Sequence, residues 1–192
     1  MFMKFYLHPK NRLTRARGDA TISTMTGQEL LKRYNAGERD FANADLRGVD
    51  LREAMLRGII LRGANLEKAN LGWANLEESD LSGANLKQAK VNATHLRAAN
   101  LSGADFSEAN MKSAGMKDAN LSGAILHAAV LVGAKFQGAN LRGANLSKSH
   151  LDGADFTGAD ATDIDITYAE LTNVIGLAVP ENKKSWKAVD KE

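Results

Sequence analysis

An apolar residue stands at every fifth position from Phe41 to Leu171, 27 times in succession, and no insertion or deletion breaks the count. With these positions labelled i, 18 hold Leu, four hold Phe (Phe41, Phe106, Phe136 and Phe156), and the other five are Val91, Met111, Met116, Ala161 and Ile166. A second small apolar position is i−2: of 26 such sites from Ala44 to Ala169, 20 are Ala, the exceptions being Val49, Ile59, Ser79, Thr94, Ser149 and Ile164. An amphipathic helix repeats near 3.6 residues and a half-buried strand near 2.0, so a period of five fits neither, and each unit must contain a turn. Four units then close a coil of about twenty residues, placing residue n on n+20. Adjoining coils pair as parallel strands about 4.8 Å apart, which gives roughly seven coils and a rod about 33 Å long.

Units such as Ala64-Asn65-Leu66-Glu67-Lys68 and Ala104-Asp105-Phe106-Ser107-Glu108 resemble the A(D/N)LXX motif of the pentapeptide-repeat family, in one register over about 135 of the 192 residues. The resemblance implies an all-β fold, a right-handed quadrilateral parallel β-helix; the spacing by itself implies four units per coil but no handedness. Position i−1 is Asn or Asp in 17 of the 27 units, which also fits the family. A short amide or carboxylate there can bond nearby turn backbone, and stacked residues such as Asn100, Asn120 and Asn140 can form ladders along the axis.

A solenoid exposes core and unpaired strand edges at its ends, so capping segments are expected. The chain divides into a basic extension (1–25), a capping helix (26–38), the repeat array (39–173) and a C-terminal cap and tail (174–192). Thr26 and Glu29 have capping-box spacing, Leu30, Leu31 and Tyr34 share a helical face, and Gly37 can stop the helix, so a helix is expected from about Gly27 to Ala36. After the array, Val174, Ile175, Leu177 and Val179 stay apolar until Pro180, and they are expected to close the last coil. Trp186 is expected to add to that cover or to a homodimer contact, since the resemblance implies that some relatives pair through their C-terminal ends.

The chain has no Cys, which removes disulfides and thiol chemistry and favours a reducing compartment; cytoplasmic location is expected. No apolar run approaches the 18 or so residues that cross a bilayer. The net charge of +2 is unevenly spread, and residues 39–173 carry 14 Lys and Arg against 17 acids.

This patterning argues against catalysis. His95, His127 and His150 fall on three different sides of the coil, so no two can share a metal ion or a proton relay. The interior is filled by Leu and Ala, which leaves no pocket for a ligand. The Gly residues at i+2 in 11 units read as turn chemistry rather than phosphate loops. No enzymatic activity, cofactor or metal is expected.

The resistance-associated members of the family protect DNA gyrase and topoisomerase IV, and are thought to imitate duplex DNA. Duplex carries one charge per ~1.7 Å, about 20 over the length of this rod, whereas residues 39–173 differ by only three charges. Arg47, Arg52, Arg57 and Arg62 also ring the first coils, where a mimic would need acid, and no loop interrupts the array as it does in protective members. Direct nucleic-acid binding is disfavoured because Arg57, His95, Arg97, Lys117 and Lys135 share a side with Glu77, Glu78, Asp118 and Asp155, without aromatic residues between them. Departures from the repeat point instead to a protein partner: Ile125, His127, Val130 and Val132 form a small apolar patch around one corner. The expected role is a non-enzymatic scaffold or interaction module, with a DNA-mimicking gyrase binder as the alternative.

Overall fold

The structure, a computed structural model, describes residues 24–177. Isolated parallel bridges join n to n+20 without interruption, from Asp40 with Ile60 to Asp155 with Ile175. Each coil therefore contains four five-residue units, and units twenty apart stack in four columns. These columns are named here for their first inward residues, Phe41, Leu46, Leu51 and Leu56.

Backbone hydrogen bonding explains the five-residue unit. In the unit from Asn100 to Ala104, Asn100 N–H donates to Ser79 O of the preceding coil (2.8 Å), while Leu101 and Gly103 donate to Asn120 O (2.7 Å) and Ser122 O (2.9 Å) of the following one. Ala104 N–H closes the turn onto Leu101 O (3.1 Å). Four of the five donors are thus satisfied by backbone, and the fifth, at i+1, belongs to Ser102. It donates to the side-chain oxygen of Asn100 at 3.3 Å. All 17 Asn and Asp residues at i−1 accept this same bond from the N–H two residues on. The preference of this chain for Asn and Asp at i−1 follows from that one donor, because an unpaired backbone group is costly to shield from water. Ladders are secondary: Asn120 reaches Asn100 at 3.4 Å, and Asn85 reaches Asn65 at 3.1 Å.

The turn also requires a left-handed residue. Every i+2 position from Asn43 to Asn173 has a positive φ, and 16 of these residues are not glycine. Each such residue costs about 1 kcal/mol. The register nevertheless enforces it, since only this geometry lets the i+2 N–H reach the next coil.

Inside, the i residues from Leu46 to Phe156 are at most 1% exposed, so the axis is solid. Burying each Leu there contributes about 1.5–3 kcal/mol. Phe136 and Phe156 stack along the Leu56 column with ring centroids 4.7 Å apart. The polar exceptions at i−2 are satisfied: the hydroxyls of Ser79 and Ser149 donate to Leu76 O and Leu146 O, and that of Thr94 to Leu71 O.

At the N-terminal end, α1 (Gly27–Asn35) lies over the first coil. Its Thr26 cap accepts from Glu29 N–H at 3.2 Å, satisfying one of the helix's free donors. Leu30 is fully buried, Met25, Leu31 and Tyr34 pack partly against the core, and Tyr34 Oη donates to Arg57 O at 2.8 Å. A Cβ on Gly27 would come within 2.7 Å of Asp50 O, so helix and coil meet without room for a side chain. At the other end, Phe156 N–H donates to Ile175 O at 2.7 Å, and Gly176, at φ +73°, presses against Thr157.

Candidate functional site

With the axis filled, the outward positions i−1, i+1 and i+2 are left to do the work. His95, His127 and His150 lie in the Leu56, Leu46 and Leu51 columns respectively. His127 Nδ1 is 2.8 Å from Ser147 Oγ, and His150 Nδ1 is 2.8 Å from Glu170 Oε2. Among the described residues no three His, Asp or Glu side chains form a metal-binding group, and no helix is long and apolar enough to cross a membrane.

The arginine ring needs correcting. Arg47 pairs with Asp45 (2.7 Å), Arg52 with Asp50 (2.8 Å), Arg57 with Glu78 (2.5 Å) and Arg62 with Asp80 (3.0 Å), so the first coils present ion pairs rather than positive potential. The side-chain hydrogen bonds from Arg47 and Arg52 hold Asp45 and Asp50 below the usual carboxylate range, and that from Arg57 does the same for Glu78. The sequence could not show this, because two of the partners lie 18 and 21 residues away, one coil over.

The apolar patch spans two adjoining units. Ile125 is exposed and Val130, Val132 and His127 are half-buried. With apolar side chains at i−1, the N–H groups of His127 and Val132 lose the acceptor that Asn or Asp supplies elsewhere. The same departure occurs at Ile60 and at Met55, which is 68% exposed and which the sequence reading passes over although the register alone identifies it. Trp73 is also exposed, at a left-handed turn position. At the C-terminal end Val174 and Leu177 are half-buried against the core and Ile175 is exposed; Trp186 lies outside the described residues.

A hollow of about 440 Å³ opens on the Leu56 column, correcting the expectation that a filled rod leaves no pocket. It lies beside Gly115, where i−1 has no side chain, and is lined by His95, Arg97, Ser113, Lys117 and Lys135, among others. The interior is solid, as expected; the concavity comes from a missing side chain on the outside.

The sequence profile described as Pentapeptide repeats matches the chain in eight copies, with segments at 44–83, 58–92, 79–114, 92–127, 129–167 and 139–175. The chain therefore belongs to the pentapeptide-repeat family. No curated protein matches its sequence. Among solved structures it is similar to a trypsin-treated form of QnrB1, a plasmid-mediated fluoroquinolone resistance protein, at 25% identity and a TM-score of 0.57, covering 70% of this chain and 73% of that one. It is also similar to HetL, involved in heterocyst differentiation regulation in Nostoc sp. strain PCC 7120, at 27% identity, 79% and 94% coverage and a TM-score of 0.34. A third is a pentapeptide repeat protein from the Arabidopsis thaliana thylakoid lumen, at 31% identity, 54% and 66% coverage and a TM-score of 0.42.

Proposed function

We propose that this chain is a non-enzymatic scaffold, a right-handed quadrilateral β-helix in the cytoplasm that docks a protein partner on the corner formed by Ile125, His127, Val130 and Val132. The observation that carries this reading is the loss of the turn hydrogen bond at two consecutive units. Ile125 and Val130 leave two donors without the acceptor that 17 other units provide, and each such bond contributes about 0.5–1.5 kcal/mol. Holding apolar side chains there at a cost in stability is what a contact surface requires. Val174, Ile175 and Leu177 are proposed as a homodimer contact at the C-terminal end.

The test is affinity capture with the intact chain and with Val130→Asp. The variant is expected to keep its fold by circular dichroism and to lose the partner at least tenfold. Equal retention by both chains would overturn the assignment of the corner.

The similarity to QnrB1 favours a second reading, a gyrase-binding mimic, and residues 149–175 support it locally with six acids and no Lys or Arg. A mimic would alter gyrase supercoiling at stoichiometric amounts, whereas the scaffold would leave it unchanged.

A further inference from the structure

In the Leu56 column three successive i−1 residues, His95, Gly115 and Lys135, are neither Asn nor Asp, and they stack directly through the bridges of His95 with Gly115 and of Gly115 with Lys135. The N–H groups of Arg97, Lys117 and Gln137 consequently have no acceptor among the described residues. They form a row of donors at the coil spacing of about 4.8 Å. Around this row stand Arg97, Lys117 and Lys135, and the only acid in the lining is Glu77, which sits 3.5 Å from Arg97.

The other acids of this side are engaged elsewhere: Glu78 with Arg57, and Asp155 with Gln137 Nε2 (2.6 Å) and Thr157. Asp118 turns toward Gly138, its Oδ1 only 2.6 Å from where a Cβ would stand on that glycine. Lys117 and Lys135 have no ion-pair partner among the described residues. The Leu51 column holds a comparable run at Val130, His150 and Glu170, but there the charges at i−1 and i+1 are the acids Asp152 and Glu170.

We propose that this hollow binds a small polyphosphate, a diphosphate or a molecule bearing one. Its oxygens would occupy the place that Asn and Asp side-chain oxygens hold in the other turns. Three features select this chemistry. The aligned backbone donors and the two lysines are suited to anionic oxygen, since successive N–H groups form anion-binding concavities and Lys acts as a point charge. The volume of about 440 Å³ lies in the range of small-molecule sites and exceeds what one phosphate fills. The lining has no Phe, Tyr or Trp, and the imidazole of His95 is its single ring, too little to sandwich a base, so the phosphates rather than a nucleoside are the recognised part.

Gly115→Asn provides a direct test that preserves the fold. Gly115 has ordinary φ, and a Cβ there meets only Thr94 O at 3.9 Å. The new carboxamide would accept the Lys117 N–H and fill the hollow. Titration calorimetry of the full chain with inorganic pyrophosphate at low ionic strength is expected to show saturable, one-site binding. Gly115→Asn and the double variant Lys117→Ala/Lys135→Ala should each weaken it at least tenfold without lowering the melting temperature, and Lys148→Ala, on another column, should leave it unchanged. ADP should bind as tightly as pyrophosphate. The proposal is overturned if pyrophosphate does not saturate, if Gly115→Asn binds as well as the parent, or if ADP binds and pyrophosphate does not. It also fails if oligothymidylate binds more tightly with a steeper salt dependence, an outcome that would make the face a nucleic-acid surface.

Discussion

The two ends of the rod solve the same problem differently. At the N-terminal end the helix α1 seals the first coil: Leu30 is fully buried and Phe41 is 3% exposed. At the C-terminal end, among the described residues, Ala161, Leu171 and Val174 remain half-buried, and Tyr168 and Ile175 are 66% and 55% exposed. Charge follows the same asymmetry, with arginine–carboxylate pairs on the first coils and six acids without a Lys or Arg over residues 149–175. Interior coils of a solenoid are nearly equivalent, so differences in stability and in contact surface collect at the ends and at the few turns that abandon the repeat.

The largest expected effect breaks this comparison at its sealed end. Leu30→Ala should destabilise the fold by about 2–4 kcal/mol, because it opens a cavity between helix and coil. Leu171→Ala, whose side chain is already partly exposed, should cost less than half as much. Chemical denaturation of the two variants measures the difference; equal losses would mean that the ends are not distinct.

A smaller effect concerns the turns. Ile125→Asn restores the acceptor for the His127 N–H and should raise stability by about 0.5–1.5 kcal/mol, or a few degrees in melting temperature, while weakening partner capture. A fall in melting temperature would show that the apolar side chain contributes more to the fold than the missing bond does.

The smallest effect is on pH dependence. Asp45 is held below its ordinary value by its hydrogen bond from Arg47, and Asp155 and Asp160 by those from the hydroxyls of Thr157 and Thr162. Since the folded values are lowered, their stabilisation is fully present above the unfolded value of about 3.9 and is lost as pH falls through the folded values. The melting temperature should therefore hold steady from pH 7 to about 5 and decline below about 4. Added salt should weaken the contribution of the exposed Arg52–Asp50 pair.

The coil, its register and its solid axis were legible in the sequence, because inward residues recur at fixed spacing and the period alone excludes helix and flat strand. The capping helix was equally plain in Thr26, Glu29 and Leu30, and α1 ends one residue before the expected Ala36. What escaped the reading depends on neighbours one coil away. Arg57 meets Glu78 and Arg62 meets Asp80 only after the chain has wound once, so four arginines in a row looked like positive potential. Gly115 differs from the 11 turn glycines in sitting at i−1, where its missing side chain opens the hollow between His95 and Lys135, a consequence visible only once the coils are stacked. Sixteen left-handed residues other than glycine, among them Trp73 and Ala128, were likewise hidden, since their conformation is imposed by bonding to the next coil rather than by local preference.

Thiol cross-linking tests the central claim most directly, since the chain contains no cysteine of its own. Ser102 and Ser122 occupy the same i+1 position on successive coils, joined by the Gly103 N–H bond to Ser122 O, whereas Lys112 lies two columns from Ser102 with the packed core between them. A short bifunctional thiol reagent should link Ser102→Cys to Ser122→Cys within one chain efficiently and leave Ser102→Cys with Lys112→Cys unlinked. Efficient linking of the 102 and 112 pair, or none between 102 and 122, would contradict the twenty-residue coil on which the partner corner and the cationic hollow both depend.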